Sequence, residues 1–196
     1  MEPMLIEVPT PIVTPRLLLR AYCPGDGALL HQAIVESYEQ LHPWQEWAAF
    51  QPSLEQSEVM VRCGASEFIM RKYLKFLLFE QSEGQLIGGL VLNAIRWDVP
   101  RMAIGYWLRT GCTGKGYMTQ AVSALTYYAF KQLKCIRLEI RCDEANIKSQ
   151  AVALRAGFTL ECRQENMFRD NDGMLRNLLV YVRFNLDNLA PLTVSW

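Results

Sequence analysis

A glycine-rich loop at residues 111–119 separates an apolar strand pattern from a long amphipathic helix pattern. Gly114 and Gly116 permit positive φ and let a ligand approach the backbone closely. The free N–H groups that open the next helix, together with its dipole, favour an anion such as a pyrophosphate. Thr119 stands where the third glycine of a dinucleotide fingerprint would be, and a Walker loop has a different spacing. For the two glycines alone, an ordinary turn with a helix cap is the alternative.

Hydrophobic periodicity predicts the elements that position this loop. Ser53 and Gln56 form a capping-box pattern at a helix start, Asp26 is predicted to cap the helix before it, and Gly157 is predicted to end the last helix. A strand meander followed by a strand–loop–helix–strand unit predicts an α/β fold, with a mixed sheet and helices on both faces. The predicted strands are 12–20, 75–81, 85–95, 101–109, 135–142, 158–168 and 175–184, and the predicted helices are 26–41, 53–73, 117–133 and 146–156.

Composition narrows the class of protein further. The 196 residues suit one domain, predicted at 12–184 with tails at 1–11 and 185–196, and 51% hydrophobic residues exclude a disordered chain. Twenty basic and twenty acidic residues give zero net charge, which argues against a nucleic-acid partner. Six cysteines without a CxxC pair, and only two histidines, argue against a structural metal site. Without an export signal or about 18 consecutive apolar residues, the chain is predicted to be cytoplasmic, with no membrane partner.

Five groups of motifs in order resemble the GCN5-related N-acetyltransferase (GNAT) superfamily, and within it the Rim-type ribosomal-protein N-acetyltransferases. This resemblance implies a mostly antiparallel central sheet that splays at the cofactor site, acetyl-CoA as the donor and a primary amine as the acceptor. The motifs are TPRLLLR at 14–20, LHPWQEW at 41–47, IGG at 87–89 with IGYWL at 104–108, GKGYMT at 114–119, and NIKS at 146–149 with LRAGF at 154–158.

The resemblance also implies roles for individual residues. Asn146 would contact the pantetheine arm, or act only as a helix N-cap. Ser149 would protonate the leaving thiolate, or be an ordinary first-turn serine. Arg155 would reach the 3′-phosphate, or lie on a solvated face. The pyrophosphate would be held by the backbone N–H groups of Thr113, Gly114, Lys115, Gly116, Tyr117, Met118 and Thr119. The pantetheine arm would be held by the strand backbone of Trp107, Leu108 and Arg109.

On the acceptor side, the resemblance implies contacts from His42, Trp44, Trp47 and Tyr106, although tryptophans also serve as core anchors and a lone histidine is often structural. One departure from the family pattern lies just before the glycines of the loop. Gly111 replaces the Gln or Arg that usually comes three residues before the first glycine. Lys115 meets the phosphates as a point charge or is a solvated surface lysine.

The general base is the least determined role. Ala103 stands where many relatives have Glu, Asn177 stands where many have Asp or His, and the carboxylate expected near Met167 or Phe168 is missing. We therefore predict that Glu165, or a water chain with no single base, deprotonates the amine.

The sequence thus predicts an N-acetyltransferase in which the amine attacks bound acetyl-CoA directly. No histidine is placed in sequence to activate Cys112 or Cys142 as an acetyl-cysteine nucleophile. The predicted acceptor is the N-terminal α-amine of a protein, specifically of a ribosomal protein, as the Rim-type resemblance implies. A small-molecule amine (polyamine, amino acid or aminoglycoside) and a non-catalytic acyl-CoA-binding module are the alternatives, and the predicted assembly is a monomer or homodimer.

Overall fold

The computed structural model describes residues 2–196, which form one eight-stranded sheet with two helices on each face. The strands are β1 (Ile12–Val13), β2 (Leu17–Ala21), β3 (Leu74–Glu80), β4 (Leu86–Arg96), β5 (Arg101–Leu108), β6 (Arg137–Asp143), β7 (Thr159–Arg169) and β8 (Leu175–Arg183). The helices are α1 (Gly27–Leu41), α2 (Leu54–Ile69), α3 (Tyr117–Lys131) and α4 (Ile147–Arg155), and 3₁₀ turns lie at Pro3–Leu5, Glu46–Ala48 and Thr110–Cys112.

The sheet has the order β1-β2-β3-β4-β5-β6-β8-β7, in which only β5 and β6 are parallel. This confirms the predicted mixed, mostly antiparallel sheet. Alternation along the strands divides the core between the two faces. On β3, Phe76 and Leu78 pack with α3 and α4, whereas Leu77 and Phe79 pack with α1 and α2. On β5, Ile104 belongs to the first cluster and Trp107 to the second, so successive side chains of this strand serve opposite faces.

Helix ends show which local signals the chain uses. The capping box at α2 is confirmed: Gln56 N–H donates to Ser53 Oγ at 3.1 Å, and Ser53 N–H donates to Gln56 Oε1 at 2.7 Å. Asp26 precedes α1 as predicted, but its carboxylate does not cap the helix; it accepts from both Arg20 nitrogens at 2.7 Å and from Cys23 N–H. An arginine within reach therefore outcompetes the helix start for this side chain.

The predicted strand at 12–20 is wrong, because the chain folds back within it. β1 and β2 pair antiparallel across a turn at 14–16, where Pro15 has no N–H to continue a ladder. Thr14 Oγ1 accepts from Leu17 N–H at 3.0 Å and closes the turn.

Both predicted tails lie against the domain. Val8 is buried, and Tyr128 of α3 donates its hydroxyl to Pro9 O at 2.9 Å. At the other end, Ser195 exchanges backbone hydrogen bonds with Val13, and the Trp196 ring meets Tyr128 edge-on at 5.3 Å. These contacts tie the two tails to Tyr128 of α3 and to β1.

Two properties of residues 2–196 bear on the kind of site the fold can hold. No helix in this range combines the length and apolarity needed to cross a membrane. Nor does any group of three or more His, Cys, Asp or Glu side chains gather there in a way that could hold a metal ion.

Candidate active site

The loop before α3 is an open cradle of backbone donors. Gly114 and Gly116 have φ of +77° and +76°, and Gly116 is the residue that caps α3. A Cβ built at either glycine would meet nothing within 4 Å. Within residues 2–196 the N–H groups of 114–119 donate to no protein acceptor, and the first turn of α3 holds no acidic side chain. The loop therefore fits a polyanion such as a pyrophosphate, as its residues predict.

Three cations surround this loop. Arg155, at the end of α4, donates Nε to Thr119 Oγ1 at 3.2 Å, which brings it to the first turn of α3. Lys115 is exposed within the loop itself. Arg16, from the β1–β2 turn, donates to Lys115 O at 3.0 Å and lies 4.4 Å over the ring of Tyr117. Arg16 was missed by the sequence reasoning, and its basic type next to Pro15 gave no signal of a contact so far along the chain.

Thr113 belongs to the turn that leads into the cradle. Its N–H and its hydroxyl both go to Thr110 O, at 3.3 and 3.0 Å. Met118 is buried in the core under α3. The loop would therefore bind a ligand through its backbone N–H groups and not through the side chains of Thr113 and Met118.

β5 and β6 splay apart, as predicted, after only four paired residues on each strand. Arg109 N–H donates to Ile87 O at 2.8 Å, on the β4 side. Backbone groups alternate in direction along a strand, so Trp107 also faces β4, whereas Tyr106 and Leu108 face the gap. Of the three backbone positions predicted for the pantetheine arm, Leu108 has its N–H and C=O toward the gap.

The side chain of Arg109 has a separate task. Its guanidinium donates to both carboxylate oxygens of Glu36 on α1, at 2.7 and 2.5 Å, and to Leu86 O at 3.1 Å. The hydrogen bond from Arg109 holds the pKa of Glu36 below its ordinary value. This ion pair ties α1 to the end of β5, and so fixes one wall of the gap.

At the start of α4, two predicted residues come together. Asn146 caps the helix, because its Oδ1 accepts from Ser149 N–H at 3.0 Å. Ser149 Oγ lies 2.9 Å from the hydroxyl of Tyr106, which reaches across from β5. Cys142, nearby on β6, is buried, and this burial raises the pKa of its thiol to about 11. A thiol protonated at neutral pH is a poor nucleophile, in agreement with direct attack by the amine.

Tyr106 is thus separated from the other residues predicted on the acceptor side. It packs with the α3 and α4 cluster, while Trp107 and the segment before α2 lie on the opposite face of the sheet. There Trp47 meets Trp107 edge-on at 5.9 Å, and both Trp44 and Trp47 keep more than a third of their surface exposed.

Gln45 joins this segment to the splayed strand. Its Nε2 donates to Tyr106 O at 3.0 Å, in the gap between β5 and β6, and its Oε1 accepts from Trp47 Nε1 at 3.0 Å. Gln45 was also missed by the sequence reasoning, although it stands between the two tryptophans that were singled out. The Gln45 amide therefore fixes the indole of Trp47 and binds the backbone carbonyl of Tyr106 in the gap.

Residues of the β7–β8 turn also bind this segment (residues 42–48), which precedes α2. Asn171 Nδ2 donates to His42 O at 2.6 Å and to Gln45 O at 3.0 Å. His42 Nε2 lies 3.6 Å from Asp172 Oδ1, and its Nδ1 lies 3.0 Å from Ala48 O. These contacts, the Ala48 carbonyl first, raise the pKa of His42. His42 therefore holds the segment in shape through its contacts with Ala48 and Asp172.

Carboxylates near the gap are held by arginines. Glu165 lies exposed on the edge strand β7 and binds Arg163 Nη1 at 2.6 Å, and Arg163 Nε also binds Glu144 at 2.5 Å. Asp143, at the end of β6, accepts from Arg176 at 2.7 and 3.1 Å. Glu165 is thus joined through Arg163 to Glu144, which lies between β6 and α4. Within the part of the chain that the structure describes, no contact brings Glu165 to Ser149.

Comparison with known proteins places this geometry in a family. The model of the GNAT acetyltransferase domain matches residues 16–159. The ribosomal-protein-serine acetyltransferase of Escherichia coli is 33% identical over 150 residues, which are 76% of this chain and 82% of that protein. The putative ribosomal N-acetyltransferase YdaF of Bacillus subtilis is 28% identical over 86% of this chain and 91% of its own. A solved structure of RimL, a ribosomal L7/L12 alpha-N-protein acetyltransferase in complex with coenzyme A, has a TM-score of 0.82 at 28% identity, covering 88% and 96% of the two chains.

The loop before α3 with its free N–H groups and the divergence of β5 from β6 both lie within residues 16–159, which the family model matches. The chain belongs to the GNAT acetyltransferase family and is an acetyl-CoA-dependent N-acetyltransferase.

Proposed function

We propose that this enzyme acetylates the N-terminal α-amine of a ribosomal protein in the cytoplasm. The observation that carries the proposal is the 33% identity with the E. coli ribosomal-protein-serine acetyltransferase over most of both chains. The exposed rings of Trp44 and Trp47 support it, because aromatic faces beside the gap suit an extended peptide. A small amine would leave most of this surface uncovered.

In the proposed mechanism, the chain first positions the donor. The N–H groups of residues 114–119 and the guanidinium of Arg155 hold the phosphates, and the open backbone of Leu108 orients the pantetheine arm. Acetyl-CoA supplies the reactive thioester when it is bound. Holding donor and amine together in this way converts a bimolecular reaction into one between neighbours.

Two proton movements then fall to the protein. The neutral amine forms its bond to the acetyl carbon and loses one proton, while the sulfur leaves with the electron pair of the broken bond and takes up one proton. Ser149, at the start of α4, is the proposed donor to the sulfur. Glu165 or a chain of waters accepts the proton of the amine, and the exposed position of Glu165 favours the water chain over direct contact.

The experiment is a thiol-release assay with acetyl-CoA. Peptides copied from ribosomal-protein N-termini are compared with the same peptides blocked at the α-amine and with polyamines, amino acids and aminoglycosides. We expect release with free N-termini only, and activity confined to small amines would overturn the proposed acceptor. For the base, an E165Q variant that keeps an unshifted pH–rate profile would exclude Glu165 and leave the water chain.

A further inference from the structure

The hydroxyl of Tyr106 makes two contacts with a single residue. It lies 3.0 Å from Ser149 O and 2.9 Å from Ser149 Oγ. A phenol has only one proton to donate, so it cannot donate to both atoms at once. Either it donates to the carbonyl and accepts the Ser149 proton, or it donates to Ser149 Oγ and leaves the serine proton free to point elsewhere.

We propose that Tyr106 is a positioning residue for acetyl transfer, which donates to Ser149 Oγ and so turns the serine proton toward the departing sulfur. This inference rests on the proposed role of Ser149. The rearrangement needs only rotation of two hydroxyl groups. The Ser149 carbonyl belongs to the first turn of α4 and keeps its place in the helix when the phenol turns away from it.

The surroundings of Tyr106 favour a hydroxyl that keeps its proton. Its ring packs with the α3 and α4 core, and burial raises the pKa of its hydroxyl above the ordinary value. Tyr106 is therefore protonated throughout the range in which an amine acceptor is reactive. It adds nothing to the proton count of the reaction: the amine still loses one proton and the sulfur still gains one.

Two features of the backbone hold this hydroxyl in place. Tyr106 lies where β5 has just left β6, and its carbonyl accepts from Gln45 at 3.0 Å. Asn146 fixes the first turn of α4 by accepting from Ser149 N–H at 3.0 Å. The phenol thus spans the gap between two anchored elements, and its contact with Ser149 is the link between them.

The test is a double-mutant cycle of Y106F and S149A, measured as the single-turnover rate of acetyl transfer to one peptide. We expect Y106F to lower this rate about five- to ten-fold, the effect of one lost hydrogen bond. In the S149A background, the same substitution is expected to change the rate less than two-fold. The affinity for CoA and the melting temperature are expected to stay close to those of wild type.

Tyr181 is the matched control, because its hydroxyl also faces α4, 3.4 Å from Gln150 Oε1. Y181F is expected to leave the single-turnover rate unchanged. If Y106F lowers the rate equally in both backgrounds, or if Y181F matches it, Tyr106 has a structural role only and the inference fails. If S149A itself leaves the rate unchanged, the proposed role of Ser149 is what fails.

Discussion

Alanine at Gly114 or Gly116 tests the cradle directly, because the structure separates the cost to folding from the cost to binding. Both glycines have φ near +77°, where an L-residue loses about 1 kcal/mol. The added Cβ would contact no protein atom within 4 Å, so no clash adds to this strain. In a chain of this length, about 1 kcal/mol lowers the melting temperature by about 2–4 °C.

The effect on binding is expected to be much larger. A Cβ at either position projects into open space, and we expect it to keep a pyrophosphate from lying close against the N–H groups. Loss of one charge-assisted hydrogen bond costs about 1.5–3 kcal/mol, which raises the Kd for CoA about 10- to 100-fold. Isothermal titration with CoA gives the Kd, and thermal unfolding without ligand gives the melting temperature.

Gly84 supplies the matched control. It also has positive φ, at +64°, and an equally empty Cβ position, but it lies in the turn between β3 and β4. G84A is expected to lose the same 2–4 °C and to bind CoA as wild type does. If G114A and G116A keep the wild-type Kd, or if G84A loses as much affinity as they do, the loop does not hold the phosphates as argued.

Three further predictions follow from single contacts. R155A is expected to raise the Kd for CoA about ten-fold and the Kd for dephospho-CoA less, since Arg155 reaches the first turn of α3; equal losses would contradict a contact with the 3′-phosphate. N171A is expected to raise the KM for a peptide acceptor about three- to ten-fold with an unchanged KM for acetyl-CoA, because it frees the segment before α2; a changed acetyl-CoA KM alone would contradict this. Burial opposes ionisation of Glu139, but hydrogen bonds from Arg137 and Arg141 outweigh it and hold its pKa below the ordinary value. Its contribution to stability is therefore present above about pH 4.5 and lost as the pH falls further, so urea unfolding should show a smaller loss between pH 6 and 3 for E139Q than for wild type.

Local signals in the sequence were enough to predict much of this molecule. The capping box at Ser53, the cap at Asn146 and the two loop glycines each act within three or four residues, so their chemistry is visible in the printed chain. The strand at 12–20 was wrong for a local reason also: Pro15 was counted within an apolar run, although it cannot pair there.

The residues that were missed make contacts between distant parts of the chain. Arg16 meets Lys115 across 99 positions, and Gln45 meets Tyr106 across 61. An arginine or a glutamine on a surface loop has no type or spacing that indicates such a partner. Tyr106 shows the converse, because the family resemblance implied a contact with substrate, whereas its side chain packs with the α3 and α4 cluster.

Zero net charge conceals an uneven distribution that suits both reactants. Arg16, Lys115 and Arg155 surround the loop before α3. By contrast, residues 27–69, which cover the opposite face at Trp107, hold six glutamates and one arginine. Arg109, Arg62 and Lys75 form ion pairs with three of these glutamates, and Glu39, Glu46 and Glu55 remain outside the ion pairs of residues 2–196. A polyanionic donor and an acceptor amine, which is a cation until it gives up a proton to become the neutral nucleophile, are therefore each attracted to a different side of the same sheet. In the proposed mechanism the pantetheine arm lies along the gap between β5 and β6, so this separation brings the two reactants together from opposite directions without a net charge on the chain.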